Sequence, residues 1–214
     1  MAHAFSLIID SVDVTGESLQ AVALPDLIGQ KEREPYREPH HELRIMSTVL
    51  IEIRRAKASD AAAVADAHDE AWRTAYQGII PGAELRRLIN RRGPAWWDSA
   101  IRKGSRIALL QFGDKIAGYA NYGRNRARSL YYDGEIYELY LRPEYQGLGF
   151  GRRLFTAARR DLAQSALKSL IVWALSENEN AVEFYRALGG KPVARSSEKF
   201  GARVLDKVAF GWSN

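Results

Sequence analysis

The chain has 214 residues, with 31 lysines and arginines against 26 aspartates and glutamates, 4 histidines and no cysteine. A composition that is 46% hydrophobic and 27% charged belongs to a globular chain able to bury a core, and the missing thiols exclude a disulfide scaffold, thiolate zinc sites, iron–sulfur ligation and a cysteine nucleophile. The net charge of +5 divides unevenly: residues 1–45 hold 4 basic and 8 acidic side chains, a sum of −4, whereas residues 46–214 hold 27 basic and 18 acidic, a sum of +9.

A basic domain needs a polyanionic neighbour, and nucleic acid, an acidic membrane surface or a phosphorylated small molecule would each serve. No apolar run approaches the roughly 18 residues of a membrane span. The opening MAHAFSLIID lacks a basic n-region and a long apolar core, so no membrane partner and a cytoplasmic location are the default expectation. Residues 1–45 include QKEREPYREPHH, rich in charge and proline with almost nothing apolar to bury. They read as a disordered extension, or else Met46 is the true start. Residues 46–214 form the expected domain.

Val49–Arg54 alternates as a strand. Ser59 or Asp60 caps a helix over Ala61–Tyr76, rich in alanine, and Gly78 to Gly82 end it. Two short helices follow at Ala83–Arg91 and Pro94–Lys103, separated by Gly93-Pro94. Strands Arg106–Phe112 and Lys115–Tyr122 meet at the hairpin signal Gly113-Asp114. After a basic loop, Arg124–Gly134, come a strand at 135–141, a helix at 149–164, a strand at 169–175, a helix at 180–188 and two closing strands near 192–199 and 203–211. The fold class is α/β: one mixed sheet flanked by helices.

The sharpest chemical signal is a strand running into Arg142-Pro143-Glu144-Tyr145-Gln146-Gly147-Leu148-Gly149-Phe150-Gly151-Arg152-Arg153. A glycine-rich turn opening a helix aims backbone N–H groups and the positive end of the helix dipole at one spot. Glycine keeps side chains from holding a phosphate off the backbone. Arg142, Arg152 and Arg153 add full charges nearby. A Walker loop, GxxxxGK(S/T), is not present, and a GxGxxG fingerprint fails because Arg152 stands where the third glycine belongs.

What remains, Gln146-x-x-Gly149-x-Gly151, resembles the (Q/R)xxGx(G/A) pyrophosphate loop of the GNAT superfamily of acyl-CoA-dependent N-acetyltransferases. A second segment, Asn178-Glu-Asn-Ala181-Val-Glu-Phe184-Tyr185-Arg-Ala-Leu188-Gly189-Gly190, is similar to the family's NxxAxxFYxxLGF, with Gly190 in place of the terminal phenylalanine. The element order over 46–214 fits too. The resemblance implies a mostly antiparallel sheet that splays around its central strands and binds acetyl-CoA as co-substrate, with no metal. It implies direct transfer of the acetyl group to a primary amine, with no acyl-enzyme, which a chain without cysteine allows. Backbone groups of Leu139, Tyr140 and Leu141 would pair with the pantetheine arm. Gln146, Gly147, Leu148, Gly149, Phe150, Gly151 and Arg152 would cradle the pyrophosphate, and Asn178 would touch the pantetheine end. Tyr185 matches the family's frequent general acid, a phenol that is neutral at pH 7 and can protonate a departing thiolate.

A base must deprotonate the amine. Strand alternation puts Ile136, Glu138 and Tyr140 on one face and Glu135, Tyr137 and Leu139 on the other, unless a bulge swaps them. Glu138 lies nearest the splay and is the expected base, Glu135 the alternative. His68, Trp72 and Tyr76 form one helical stripe. They either wall the acceptor site, helped by cation–π attraction, or pack on the sheet, and Trp96-Trp97 anchor a helix to the core. The acceptor is a small-molecule or peptide amine, and a homodimer is compatible with the family. The basic loop Arg124–Arg128 reads as a solvated rim in preference to a nucleic-acid site. A non-catalytic CoA-binding module is the other alternative.

Overall fold

The computed structural model describes residues 50–127 and 129–213. The expected extension 1–45, the start at Met46 and Arg128 lie outside them. The elements follow the expected order: β1 (Ile51–Arg55), α1 (Ala61–Tyr76), α2 (Gly82–Asn90), α3 (Pro94–Arg102), β2 (Arg106–Phe112), β3 (Lys115–Arg124), β4 (Gly134–Leu141), α4 (Phe150–Gln164), β5 (Leu170–Leu175), α5 (Glu179–Ala187), β6 (Lys191–Phe200) and β7 (Arg203–Trp212). Seven strands form one sheet in the order β1-β2-β3-β4-β5-β7-β6, antiparallel except at β4–β5.

Each face of the sheet is covered by helices whose apolar residues recur at three- and four-residue spacing. On one face α4 buries Phe150, Leu154, Phe155, Ala158 and Leu162, which join Tyr185 of α5 and the sheet residues Leu110, Ala120, Ile136, Val172 and Phe210. On the other face Val64, Ala65 and Ala67 of α1 pack with Trp97 of α3 against Ile107, Leu109 and Tyr119. A third cluster places Leu85 and Ile89 of α2 on Leu175, Phe200 and Leu205. Trp97 has no exposed surface, as its expected anchoring role requires.

Asp60 stands at the N-cap of α1, yet its side chain makes no capping bond. Arg54 grips the carboxylate with two bonds of 2.8 and 2.9 Å and the Lys57 amide donates to it at 2.7 Å. The charged fork is a stronger claim on the carboxylate than a cap, and it ties β1 to the start of α1.

The alternation expected for β4 does not survive its pairing with β3. Asn121 stands opposite Glu138 and Tyr122 opposite Ile136, so Tyr137 is an extra residue in the ladder. Ile136 therefore packs with the α4 cluster, whereas Glu138 is paired with Arg92 and Tyr140 packs with the α1–α3 cluster. A bulge separates residues that strict alternation would keep together.

Gly190 occupies the position where the resembled motif carries phenylalanine. The Trp212 indole lies over it: a Cβ on Gly190 would stand 2.6 Å from that ring and 2.9 Å from the Tyr185 carbonyl oxygen. The indole N–H donates to the Leu188 carbonyl at 2.9 Å, so the aromatic that closes this corner comes from β7. A Gly190→Ala substitution is expected to overpack the corner and cost about 1–3 kcal/mol, read as a lower midpoint in urea at an unchanged slope.

Candidate active site

β4 and β5 pair over three residues only, Gly134–Ile136 with Leu170–Val172. Past Ile136 the strands part, while β4 keeps its ladder to β3 as far as Leu141 and β5 keeps its ladder to β7 as far as Leu175. The cleft between them is lined by Tyr76, Tyr137, Glu138, Leu139, Tyr140, Val172, Trp173, Ala174, Asn178, Ala181 and Tyr185. Five of the expected site residues thus meet in one place: Glu138, Leu139, Tyr140, Asn178 and Tyr185.

In an antiparallel ladder alternate residues turn both backbone groups to the same neighbour. The Arg142 amide donates to the Ala117 carbonyl of β3 at 2.8 Å, which puts Tyr140 in the set facing β3 and Leu139 and Leu141 in the set facing the cleft. A Cβ on Gly118 would stand 2.4 Å from the Tyr140 carbonyl oxygen, consistent with that carbonyl pointing into β3. The backbone of Tyr140 is therefore turned away from the cleft, and its side chain enters from the α1 side. The Leu141 carbonyl accepts a bond from Gln146 Nε2 at 3.1 Å, which fastens the glycine loop to the strand.

The loop has the turned backbone that its glycines favour. Gly147 and Gly149 have φ of 75° and 79°, left-handed values that disfavour other residues. Gly149 is the N-cap of α4, and no side chain caps that helix. The amides of Phe150, Gly151 and Arg152 belong to its first turn and have no partner four residues back. Gly151 serves packing as well: its Cβ would lie 3.0 Å from the Phe184 ring. Leu148, Arg152 and Arg153 are exposed. Arg142 is not part of this positive rim, since it pairs with Glu70 of α1 and donates to the Ile116 carbonyl at 2.9 Å. Residues that fit a pyrophosphate and a pantetheine amide are thus present side by side.

Asn178 caps α5 through its Oδ1, which accepts the Ala181 amide at 3.2 Å. Across the cleft the Tyr76 and Tyr140 hydroxyls lie 2.6 Å apart. Burial pushes Tyr76 up to about 12, opposed by hydrogen bonds from Tyr140 and Asn178. Burial raises Tyr140 and Tyr185 well above the usual tyrosine range, so both remain protonated. Glu138 is 6% exposed. Arg92 holds its Oε1, and its Oε2 is buried without a hydrogen-bond partner. The alternative carboxylate, Glu135, accepts from the Arg126 amide at 2.9 Å and from the Arg126 guanidinium at 2.7 Å, and lies outside the cleft lining. The loop that carries Arg126 is ordered by Asn125, whose side chain bonds the carbonyls of Ala127, Leu130 and Tyr132. Arg126 stays exposed, as a rim residue would be, while its guanidinium is tied to Glu135 of β4.

His68 is a buried structural histidine: its Nδ1 lies 2.7 Å from the Tyr119 hydroxyl. Trp72 packs between His68 and Tyr76. Sequence reasoning missed Arg92, whose NRRGP context carries no signal, and Trp173, which reads as one more core residue in LIVWAL. Among the described residues no group of His, Asp and Glu is arranged to hold a metal, and no helix is long and apolar enough to cross a membrane.

The fold, with its mostly antiparallel sheet and flanking helices, matches solved acetyltransferase structures. It is similar to the PaiA N-acetyltransferase of Thermoplasma acidophilum, solved in complex with coenzyme A, with a TM-score of 0.59 and 17% identity over 73% of this chain and 97% of that one. Residues 64–189 match the Acetyltransferase (GNAT) family. The chain is 32% identical over 163 residues to the uncharacterized N-acetyltransferase YuaI of Bacillus subtilis, covering 76% of this chain and 93% of that one. It is 25% identical over 157 residues to the L-amino acid N-acyltransferase MnaT of Escherichia coli, covering 72% and 88%. The chain belongs to the GNAT acetyltransferase family.

The buried histidine has a consequence for stability. Desolvation first, then the nearby Arg92 charge, depress His68 to about 3, against about 6.5 when unfolded. Between those values the unfolded chain binds the extra proton, so this contribution is intact above about pH 6.5 and is lost as pH falls towards 3, by up to about 1.4 kcal/mol per pH unit. His68→Gln, which can still bond the Tyr119 hydroxyl, is expected to lose about 1–2 kcal/mol less than the unsubstituted protein between pH 7 and 5. Urea unfolding at both pH values measures it.

Proposed function

We propose that this enzyme transfers an acetyl group from acetyl-CoA directly to a primary amine in the cleft between β4 and β5. The observation that carries this is the convergence of Glu138, Asn178 and Tyr185 on the stretch of β4 that has left its neighbour. Leu139 and Leu141, facing the cleft, offer backbone groups to the pantetheine arm, Asn178 reaches its far end, and Gln146–Arg152 surround the pyrophosphate with amides. Tyr140 contributes its side chain and not its backbone. Acetyl-CoA supplies the activated thioester.

Glu138 Oε2 takes a proton from the acceptor's ammonium group. The freed nitrogen lone pair forms the new C–N bond at the thioester carbonyl carbon, and the C–S bond breaks. Tyr185 gives its phenolic proton to the departing sulfur, and the second proton shed by the nitrogen as the amide forms restores the phenol through solvent. The phenol is protonated at neutral pH and lines the cleft, so it can donate as negative charge develops on sulfur, although burial raises it above its usual range and makes it a weaker acid.

Tyr185→Phe is expected to lower kcat by roughly 100-fold with little change in the KM for acetyl-CoA, measured by release of free thiol. Near-normal turnover in that variant, across pH 6–9, excludes the acid role. Glu138→Gln is expected to lose a similar factor at pH 7 and to recover part of it at higher pH, where more acceptor is already deprotonated.

A further inference from the structure

The cleft passes through the sheet, and its two sides differ. Leu139, Val172, Ala174, Ala181 and Tyr185 of the lining belong to the cluster shared with α5, where the pantetheine arm is proposed to lie, and Asn178, which hydrogen-bonds Tyr76, stands between the two sides. Tyr76, Tyr137, Glu138, Tyr140 and Trp173 line the side that faces α1. Four aromatic rings and one carboxylate make up that second set, and among the described residues no lysine or arginine lines the cleft.

The polar balance of this side is one-sided. Glu138 is the lining residue with a buried side-chain oxygen that lacks a hydrogen-bond partner. An acceptor atom left in that state is matched by an N–H donor. The cations that touch the lining all carry a carboxylate partner. Arg92 is held by Glu138 and lies 4.3 Å over Trp96. Arg126 stacks 3.7 Å over the Tyr137 ring and forks onto Glu135. Lys207 stands 5.1 Å over Trp173 and pairs with Glu198 at 3.1 Å. An incoming carboxylate would have to displace one of these partners and would bring a second negative charge beside Glu138. Aromatic faces, by contrast, attract an ammonium group and accept apolar surface.

Building on the transfer reaction proposed above, we infer that the acceptor is a primary amine with an apolar or aromatic body and no carboxylate. Its ammonium group meets Glu138 Oε2, and its body lies between Tyr137 and Trp173 beneath the Tyr76–Tyr140 hydroxyl pair. The unassigned positive charge of the Arg124–Arg128 loop then has a structural use at Arg126, which props the Tyr137 ring and does not bind the acceptor.

Matched pairs of amines test this. With the full chain and acetyl-CoA, phenethylamine is expected to show a kcat/KM at least 10-fold above that of L-phenylalanine, with L-phenylalaninamide on the side of phenethylamine. Equal or better use of L-phenylalanine overturns the inference while leaving acetyl transfer standing. The same ligands are titrated calorimetrically into the CoA-bound protein, a measurement independent of turnover. Phenethylamine should bind at least 10-fold more tightly than L-phenylalanine, and no preference, or no binding of phenethylamine at millimolar concentration, overturns the inference. Thiol release with no amine in the panel, alongside that binding preference, counts against the transfer reaction and for the assigned ligand class. Trp173→Leu is expected to raise the KM for phenethylamine at least 5-fold and leave that for acetyl-CoA within 2-fold. An unchanged amine KM removes Trp173 from the wall.

Discussion

A parallel strand pair continues as far as both strands last unless something compensates, because buried backbone groups left without partners cost free energy. β4 and β5 stop after three residues, and the bulge at Tyr137 sits at that point of departure. An extra residue in one strand adds local twist and turns the strand off its neighbour's line. The two strands remain anchored on their outer sides by β3 and β7, so the opening does not unravel the sheet. The rest of the site depends on this parting: it frees a strip of β4, admits the α5 cap at Asn178, and joins the two helix-covered faces.

The environment inside the opening is set by what fills it. Burial raises Tyr76, Tyr140 and Tyr185 above the usual tyrosine range, so the walls are neutral at pH 7. Glu138 is the exception, and its bond to Arg92 comes from the α2–α3 junction. A carboxylate with one oxygen tied and the other buried without a partner is left to be matched by a donor. The same tertiary contacts that build the fold thus aim the proposed base. Outside the cleft, positive charge is spent on holding elements together: Arg54 on Asp60, Arg126 on Glu135 and Arg142 on Glu70. Part of the +9 carried by residues 46–214 is therefore structural, whereas Arg152 and Arg153 beside the glycine loop are exposed.

Most of the element order was legible because local signals dominate there. Gly113-Asp114 marks a hairpin, Gly93-Pro94 separates two helices, and the apolar spacing of α4 survives any context. The glycine loop was legible for the same reason, since left-handed φ at Gly147 and Gly149 and a helix start are properties of a few consecutive residues. The NxxAxxFY segment announced Asn178 and Tyr185 in the same way. Other features were invisible: the faces of β4 came out wrong under strict alternation, because a bulge is decided by the partner strand. Arg142 was expected near phosphates, and its pairing with Glu70 joins residues 72 positions apart. Gly190 looked like a minor departure until Trp212 of β7 was found against it.

By itself the sequence determined the α/β class, the strand–glycine loop–helix unit and the residue types available for proton transfer, because periodicity, turn chemistry and side-chain chemistry act over short stretches of chain. Only the tertiary structure decided which backbone groups of Leu139, Tyr140 and Leu141 face the cleft, which carboxylate enters it, and that Arg92, Tyr137 and Trp173 belong to its surroundings. Those outcomes are set by strand register and by ion pairs and ring contacts between distant segments, and such contacts exist only once the sheet has closed.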